Sequence, residues 1–310
     1  MDLINRLLRH DPIALARLIT RVENGEDGYE KILKKTYHAT GRAYHLGITG
    51  PPGAGKSTLV DGLVKRLAGK TKRVGVIAVD PTSPFSGGAL LGDRIRMTSL
   101  STNPNVFIRS MASRGSLGGM ARATKEVALL MDAGGMDYVV IETIGVGQVE
   151  IDVVDACDTT VLVLVPESGD GVQAMKAGLL EVADIVVVNK ADRDGAEKLV
   201  REIRAISEMR DKKTLWDYPV LMTEALYEKG IDDLAKAIGE HQAYLESSGE
   251  YVEHRKQQVR RHIQSLLEER IRCRMEAKLL TGNKLEALVQ RVLNKELSPF
   301  EVADRIMRSR

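Results

Sequence analysis

Residues Gly50-Pro51-Pro52-Gly53-Ala54-Gly55-Lys56-Ser57 satisfy the pattern G-x-x-x-x-G-K-[ST] without a departure. The pattern constrains the fold because it works in one setting, a loop that leaves a buried strand and enters a helix. Both flanks fit. Tyr44-His45-Leu46-Gly47-Ile48-Thr49 reads as a short buried strand, and from Thr58 to Leu67 apolar residues recur at helical spacing. Glycines let backbone N–H groups crowd around phosphate oxygens, and the helix N-terminus adds the positive end of its dipole. Lys56 is then placed to reach the β/γ-phosphates and Ser57 to hold Mg²⁺. The loop points to a nucleoside triphosphate but names neither its base nor its purpose.

From residue 45 to about 240, apolar runs alternate with amphipathic segments. Candidate strands are 45–49, 74–79, 106–108, 138–141, 160–165, 185–188 and 219–222. Near-continuous β-branched runs separated by helical patterns mean a mostly parallel sheet sandwiched by helices, an α/β fold of the P-loop nucleoside-triphosphatase type. Ligands of such sheets sit beyond the carboxyl ends of the strands. Residues 1–44 read as an N-terminal helical layer, with Asp11 as an N-cap and Pro12 at the first helical position.

From 241 to 310 the sheet signal stops. Val252, Val259, Ile263, Leu266, Leu267, Ile271 and Met275 mark a long amphipathic helix with a near-heptad stripe. A second helix covers roughly 283–295, and Ser298-Pro299-Phe300-Glu301 is a capping box opening a last one. Residues 251–310 hold fourteen Lys/Arg against eight Asp/Glu, which reads as a solvated helical face. The apolar stripe needs a partner, and a homodimer through this C-terminal arm is the expected one.

Composition removes several function classes. Aromatic content of 4% leaves little for stacking on single-stranded nucleic acid, and a net charge of +2 favours no polyanion. No apolar stretch approaches a membrane span and no secretory signal pattern opens the chain, so a cytoplasmic location is expected. The two cysteines, Cys157 and Cys273, match no metal spacing and read as buried, reduced thiols.

Three strand ends carry further chemistry. The run 74–79 delivers Asp80, a carboxylate able to hold Mg²⁺ or its water shell, or to form a turn before Pro81. The run 138–141 ends in Glu142-Thr143-Ile144-Gly145, similar to the D-x-x-G element of GTP switches with Glu in place of Asp. There the N–H of Gly145 can sense the γ-phosphate. The run 185–188 leads into Asn189-Lys190-Ala191-Asp192, the N-K-x-D guanine reader. Its Asp accepts from guanine N1–H and the 2-amino group, whereas adenine offers an acceptor at N1 and no 2-amino donor. A carboxylate left unpaired would cost about 1–3 kcal/mol, so the expected ligands are GTP and GDP with Mg²⁺. Asn189 ties the loops together and Lys190 can lie along the base. Two arginine-bearing Gly-rich segments, 86–97 and 109–119, can serve phosphate, a partner, or plain surface charge.

Taken together these motifs resemble the methylmalonyl-CoA mutase-associated GTPases, the MeaB/ArgK family. The resemblance rests on residues 47–58, on Asp80 through Met97, on Arg109 through Gly119, on Tyr138 through Gln148, on Met175-Lys176-Ala177-Gly178 and on Val186 through Arg193. It implies phosphate contacts from Gly50, Gly53, Ala54, Gly55, Lys56, Ser57 and Thr58, and a Mg²⁺ and switch shell of Ser57, Asp80, Asp93 and Glu142. It also implies guanine contacts from Asn189, Lys190 and Asp192. Proteins of this kind look like GTP-gated chaperones that load, protect or reactivate adenosylcobalamin-dependent acyl-CoA mutases. With no obvious catalytic glutamine or arginine finger, turnover is expected to be slow alone and partner-stimulated.

Two departures from the family pattern stand out. In the segment 166–176, which corresponds to a partner-coupling switch, Asp170, Gln173 and Lys176 are kept, while Glu167 replaces a glycine and Gly171 an acidic residue. In Thr223-Glu224-Ala225, Glu224 stands where serine is usual; the Ala225 N–H still has guanine O6 as its expected partner. Competing readings are a nickel-insertion type metal-delivery GTPase, which needs a His/Cys cluster, and a lysine/arginine/ornithine transport-linked ATPase or kinase.

Overall fold

The computed structural model describes residues 2–69, 71–80, 100, 102–112, 117–143, 157–166, 178–209, 216–280 and 284–308. Its strands are β1 (Tyr44–Thr49), β2 (Val74–Asp80), β3 (Val106–Ala112), β4 (Tyr138–Glu142), β5 (Thr159–Leu164), β6 (Ile185–Asn189) and β7 (Val220–Thr223). They form one sheet in the order β3-β2-β4-β1-β5-β6-β7, with every neighbouring pair parallel. After β1 the chain winds to one side through β2, β3 and β4, then to the other through β5, β6 and β7. The ligand crevice of such a sheet opens where the winding reverses, beyond the carboxyl ends of β1 and β5.

The described helices are α1 (Leu3–Leu7), α2 (Pro12–Glu23), α3 (Tyr29–Thr36), α4 (Lys56–Leu67), α5 (Leu117–Ala133), α6 (Ala196–Met209), α7 (Ile231–Ser248), α8 (Glu250–Leu280), α9 (Lys284–Leu293) and α10 (Pro299–Arg308). Period-two alternation sends each strand's side chains to two cores. On one face Leu46, Ile48, Val140, Val161, Val163 and Val187 meet Leu59, Val60 and Leu63 of α4 and Ile231, Leu234 and Ile238 of α7. On the other, Val139, Ile141, Ile77 and Val79 meet Leu15, Leu18 and Ile19 of α2 and Val127, Leu130 and Met131 of α5. Leu162, Leu164, Val186 and Val188 pack with Leu199, Val200 and Ile203 of α6. Each such aliphatic side chain contributes about 1.5–3 kcal/mol on full burial, which is why β1 and β5 tolerate no exposed residue.

The amino ends of the strands are closed by carboxylates. Asp137, Asp158 and Asp184, each immediately before its strand, accept the backbone N–H of Arg73, His45 and Thr160 respectively, all at 2.8 Å. Asp132 at the end of α5 collects the N–H groups of Gly41, Arg42 and Ala43 at 2.5–3.2 Å. This fixes where the N-terminal helical layer enters β1. Asp11 caps α2 as its sequence indicates, accepting from Ile13 and Ala14 with Pro12 at the first position. Arg109, on β3, pairs with Glu23 of α2 and so ties that layer to the sheet instead of serving phosphate.

The described contacts divide the chain into residues 1–251 and 252–310. The sequence pattern places the change of character at 241, but α7 runs to Ser248, and Leu245 still lies in the core shared with β1 and α4. In the second unit, Val259, Ile263, Leu267 and Ile271 recur every four residues along α8 with 45–54% exposure. The Ser298 capping box closes reciprocally: Ser298 N–H donates to Glu301 at 2.8 Å and Glu301 N–H to Ser298 Oγ at 3.2 Å. Cys157 is buried, whereas Cys273 is exposed on α8, so only one of the two thiols is a core residue. Among the described residues no helix is long and apolar enough to cross a membrane.

Candidate functional site

The phosphate loop leaves β1 at the centre of the sheet and has no room for side chains at two of its glycines. A Cβ on Gly50, at φ +140°, would lie 2.0 Å from the carbonyl oxygen of Val163 on β5. One on Gly55, at φ +89°, would lie 2.4 Å from Asn189 Nδ2. Both positions also have left-handed φ values that L-residues resist. Gly53 adopts φ +79° but faces open space, so its requirement is conformational alone. No side chain caps the N-terminus of α4, whose first N–H groups are thereby left for an anion.

Lys56 and Ser57, the first two residues of α4, are buried at this helix start. The Lys56 ammonium donates to the carbonyls of Gly50 (2.7 Å) and Pro51 (3.0 Å), folded back over the loop it is expected to serve. The hydroxyl of Ser57 donates to Glu142 Oε1 at 2.5 Å. Glu142 reaches it because β4 lies beside β1 with Ile48 opposite Glu142. Two oxygen donors, buried and adjacent at the phosphate end of the crevice, suit a hard cation such as Mg²⁺. Below them Thr143 donates its N–H to Ile48 and its hydroxyl to Thr49, a brace the motif reading does not include.

At the other end, Asn189 is 2% exposed and joins three segments. Its Nδ2 donates to the Ala54 carbonyl at 2.8 Å, while its Oδ1 accepts from Thr223 Oγ1 (3.0 Å) and the N–H of Ala225 (3.1 Å). The amide thus links phosphate loop, β6 and the loop after β7. The Ala225 N–H is already used by Asn189, so contact with guanine O6 requires that bond to be shared or exchanged. Lys190 holds a left-handed φ of +57°, which turns the chain so that Asp192 stands exposed at the crevice rim. Non-glycine residues in this region cluster at functional sites.

Of the expected site residues, Gly50, Gly53, Ala54, Gly55, Lys56, Ser57, Thr58, Glu142, Asn189, Lys190, Asp192 and Ala225 therefore lie along the carboxyl ends of β1, β4, β6 and β7 or the segments that follow them. Asp80 ends β2, two strands from the phosphate loop, with its side chain outside the described residues. Asp93, Gly145, Asp170, Gln173 and Lys176, with Glu167 and Gly171, also lie outside the described residues.

Comparison with known proteins adds four findings. The family model described as methylmalonyl Co-A mutase-associated GTPase MeaB matches residues 15–279. A protein of Pyrococcus abyssi is 49% identical over 310 residues, covering 99% of this chain and 95% of its own length. The mouse protein named methylmalonic aciduria type A homolog, mitochondrial, is 36% identical over 270 residues, covering 86% of this chain and 65% of its own. Among solved structures, one described as an LAO/AO transport system kinase superposes with a TM-score of 0.76 at 28% identity, over 98% of this chain and 95% of its own.

Proposed function

The chain belongs to the MeaB family of methylmalonyl-CoA mutase-associated GTPases, and from that membership we propose that it is a Mg²⁺-dependent GTP hydrolase acting as a chaperone for an adenosylcobalamin-dependent acyl-CoA mutase. The observation that carries the reading is the bonding of Asn189, which joins the phosphate loop at Ala54 to the base-reading side at Thr223 and Ala225. A device of that kind couples the phosphate loop to the loops that would read a guanine base. Methylmalonyl-CoA mutase or a close relative is the proposed client, and gating of cofactor loading the proposed task.

The chain's own residues account for the following steps. The N–H groups at the start of α4 receive the phosphates, and Lys56 exchanges the Gly50 and Pro51 carbonyls for β/γ-phosphate oxygens. Ser57 and Glu142 would hold Mg²⁺, which supplies charge stabilisation to the transferring phosphoryl group. Asp192 accepts from guanine, and Lys190 lies along the base. Hydrolysis then depends on positioning a water against the γ-phosphate, a step these residues support only weakly without a partner.

The test is capture of acyl-CoA mutases with and without a non-hydrolysable GTP analogue, followed by GTP turnover and cofactor-loading assays on whatever is captured. Nucleotide-dependent capture with a changed turnover rate is expected. Brisk hydrolysis by the isolated chain, unaltered by any cobalamin-dependent mutase, would sink the chaperone role. A transport-linked kinase, as the solved relative is described, instead predicts phosphate transfer to a protein acceptor from ATP, which the guanine reader disfavours.

A further inference from the structure

Beyond β7 the chain makes a tight six-residue loop closed on itself. Glu224 N–H donates to the Lys229 carbonyl at 3.1 Å and Lys229 N–H to the Glu224 carbonyl at 3.3 Å. The side chains repeat the closure, with Lys229 Nζ donating to Glu224 Oε1 at 3.1 Å and Oε2 at 2.9 Å. Gly230 completes it at φ +75°, where a Cβ would strike the Met222 carbonyl at 2.4 Å. The next residue after Glu224 is Ala225, whose N–H is bound by Asn189, and Asn189 in turn holds Ala54. Three links therefore run from a surface ion pair to the phosphate loop.

We propose that the Glu224–Lys229 pair is a clamp that positions the guanine-reading loops and thereby sets how long a guanine nucleotide stays bound. The inference rests on the reading of the site as a guanine-nucleotide site. Lys229 also stands within electrostatic reach of Asp192. Glu224, about four-fifths buried, is the less exposed member of the pair and so the one anchored against the loop. Exposed ion pairs generally add little to folding stability. The clamp acts on placement, and this separates it from a merely structural pair.

The experiment uses the full chain and fluorescent N-methylanthraniloyl-GDP, with release followed by stopped flow and thermal unfolding measured in parallel. Glu224→Ser and Lys229→Met are expected to release the nucleotide about 3–10-fold faster with little change in Tm, and Lys229→Arg to release at the wild-type rate. Release within twofold of wild type in both single variants overturns the clamp. So does a fall in Tm that tracks the faster release, or failure of Lys229→Arg to restore it. Failure of the wild-type chain to bind the fluorescent nucleotide at all would be a failure of the guanine-site reading itself, and is seen before any variant is compared.

Discussion

Ser57 Oγ and Glu142 Oε1 lie 2.5 Å apart, bridging the helix after β1 to the end of β4. The serine donates and the carboxylate accepts, and these are the two oxygens that a Mg²⁺ ion would take over. Ser57→Ala and Glu142→Gln should therefore each lower GTP turnover by about a hundredfold and raise the Mg²⁺ concentration needed for half-maximal rate. A Mg²⁺ titration of turnover checks this; an unchanged Mg²⁺ requirement in both variants would remove the pair from the metal site.

Asn189→Ala should destabilise the fold as well as the site. It leaves the Ala54 carbonyl, the Thr223 hydroxyl and the Ala225 N–H without their present partner in a buried place. The expected loss is about 1–3 kcal/mol, read as a lower urea midpoint with unchanged m-value. A midpoint equal to that of wild type would mean the three segments hold together without it.

Asp192→Asn should invert the base preference. The exchange turns half of the acceptor into a donor that suits xanthine, whose 2-position carries a carbonyl. GTP affinity is expected to fall about 10–100-fold while xanthosine triphosphate gains, measured by competition against a labelled nucleotide. An unaltered preference would overturn the base assignment.

Glu228 gives a pH signature. Arg66 and then Lys65, both on α4, hold its carboxyl below the usual glutamate range. A depressed folded-state value means stability that is fully present above the unfolded value of 4.5 and lost as pH falls through the depressed one. The Tm difference between wild type and Glu228→Gln should thus be flat around neutrality, at no more than about 2 °C for an exposed pair, and vanish in acid. A difference that grows on acidification would contradict the pairing.

The apolar row on α8 predicts an interface between two copies of the chain. Ile263→Glu and Leu267→Glu, at positions 53% and 54% exposed, should convert a dimer to a monomer in sedimentation equilibrium with nucleotide binding intact. A wild-type chain that sediments as a monomer at tens of micromolar would leave the row to another partner.

The sheet and the nucleotide crevice were legible because their signals are local. Runs such as Val186-Val187-Val188 mark doubly covered strands, and Gly55-Lys56-Ser57 or Asn189-Lys190 follow such runs directly. What escaped depends on residues far apart in sequence. Nothing near Asp158 indicates that it will accept from His45, and nothing near Arg109 points to Glu23. The local pattern marks only where such carboxylates stand, Asp137, Asp158 and Asp184 each one residue before a β-branched strand, and not their partners. The end of α7 at Ser248 is set in the same way, since Leu245 belongs to a core it shares with β1, far earlier in the chain.

The aspartates at the amino ends of β4, β5 and β6 are spent on backbone joinery, whereas the polar residues at the carboxyl ends face the crevice. The first margin is therefore adjustable without touching the second. Substitutions at the first should register as folding yield and leave turnover per folded molecule untouched; substitutions at the second should change turnover per folded molecule, and at Asn189 the folding yield as well. A library screened for both quantities would sort these strands by end, and laboratory evolution could change the chemistry at one margin while rebuilding robustness at the other.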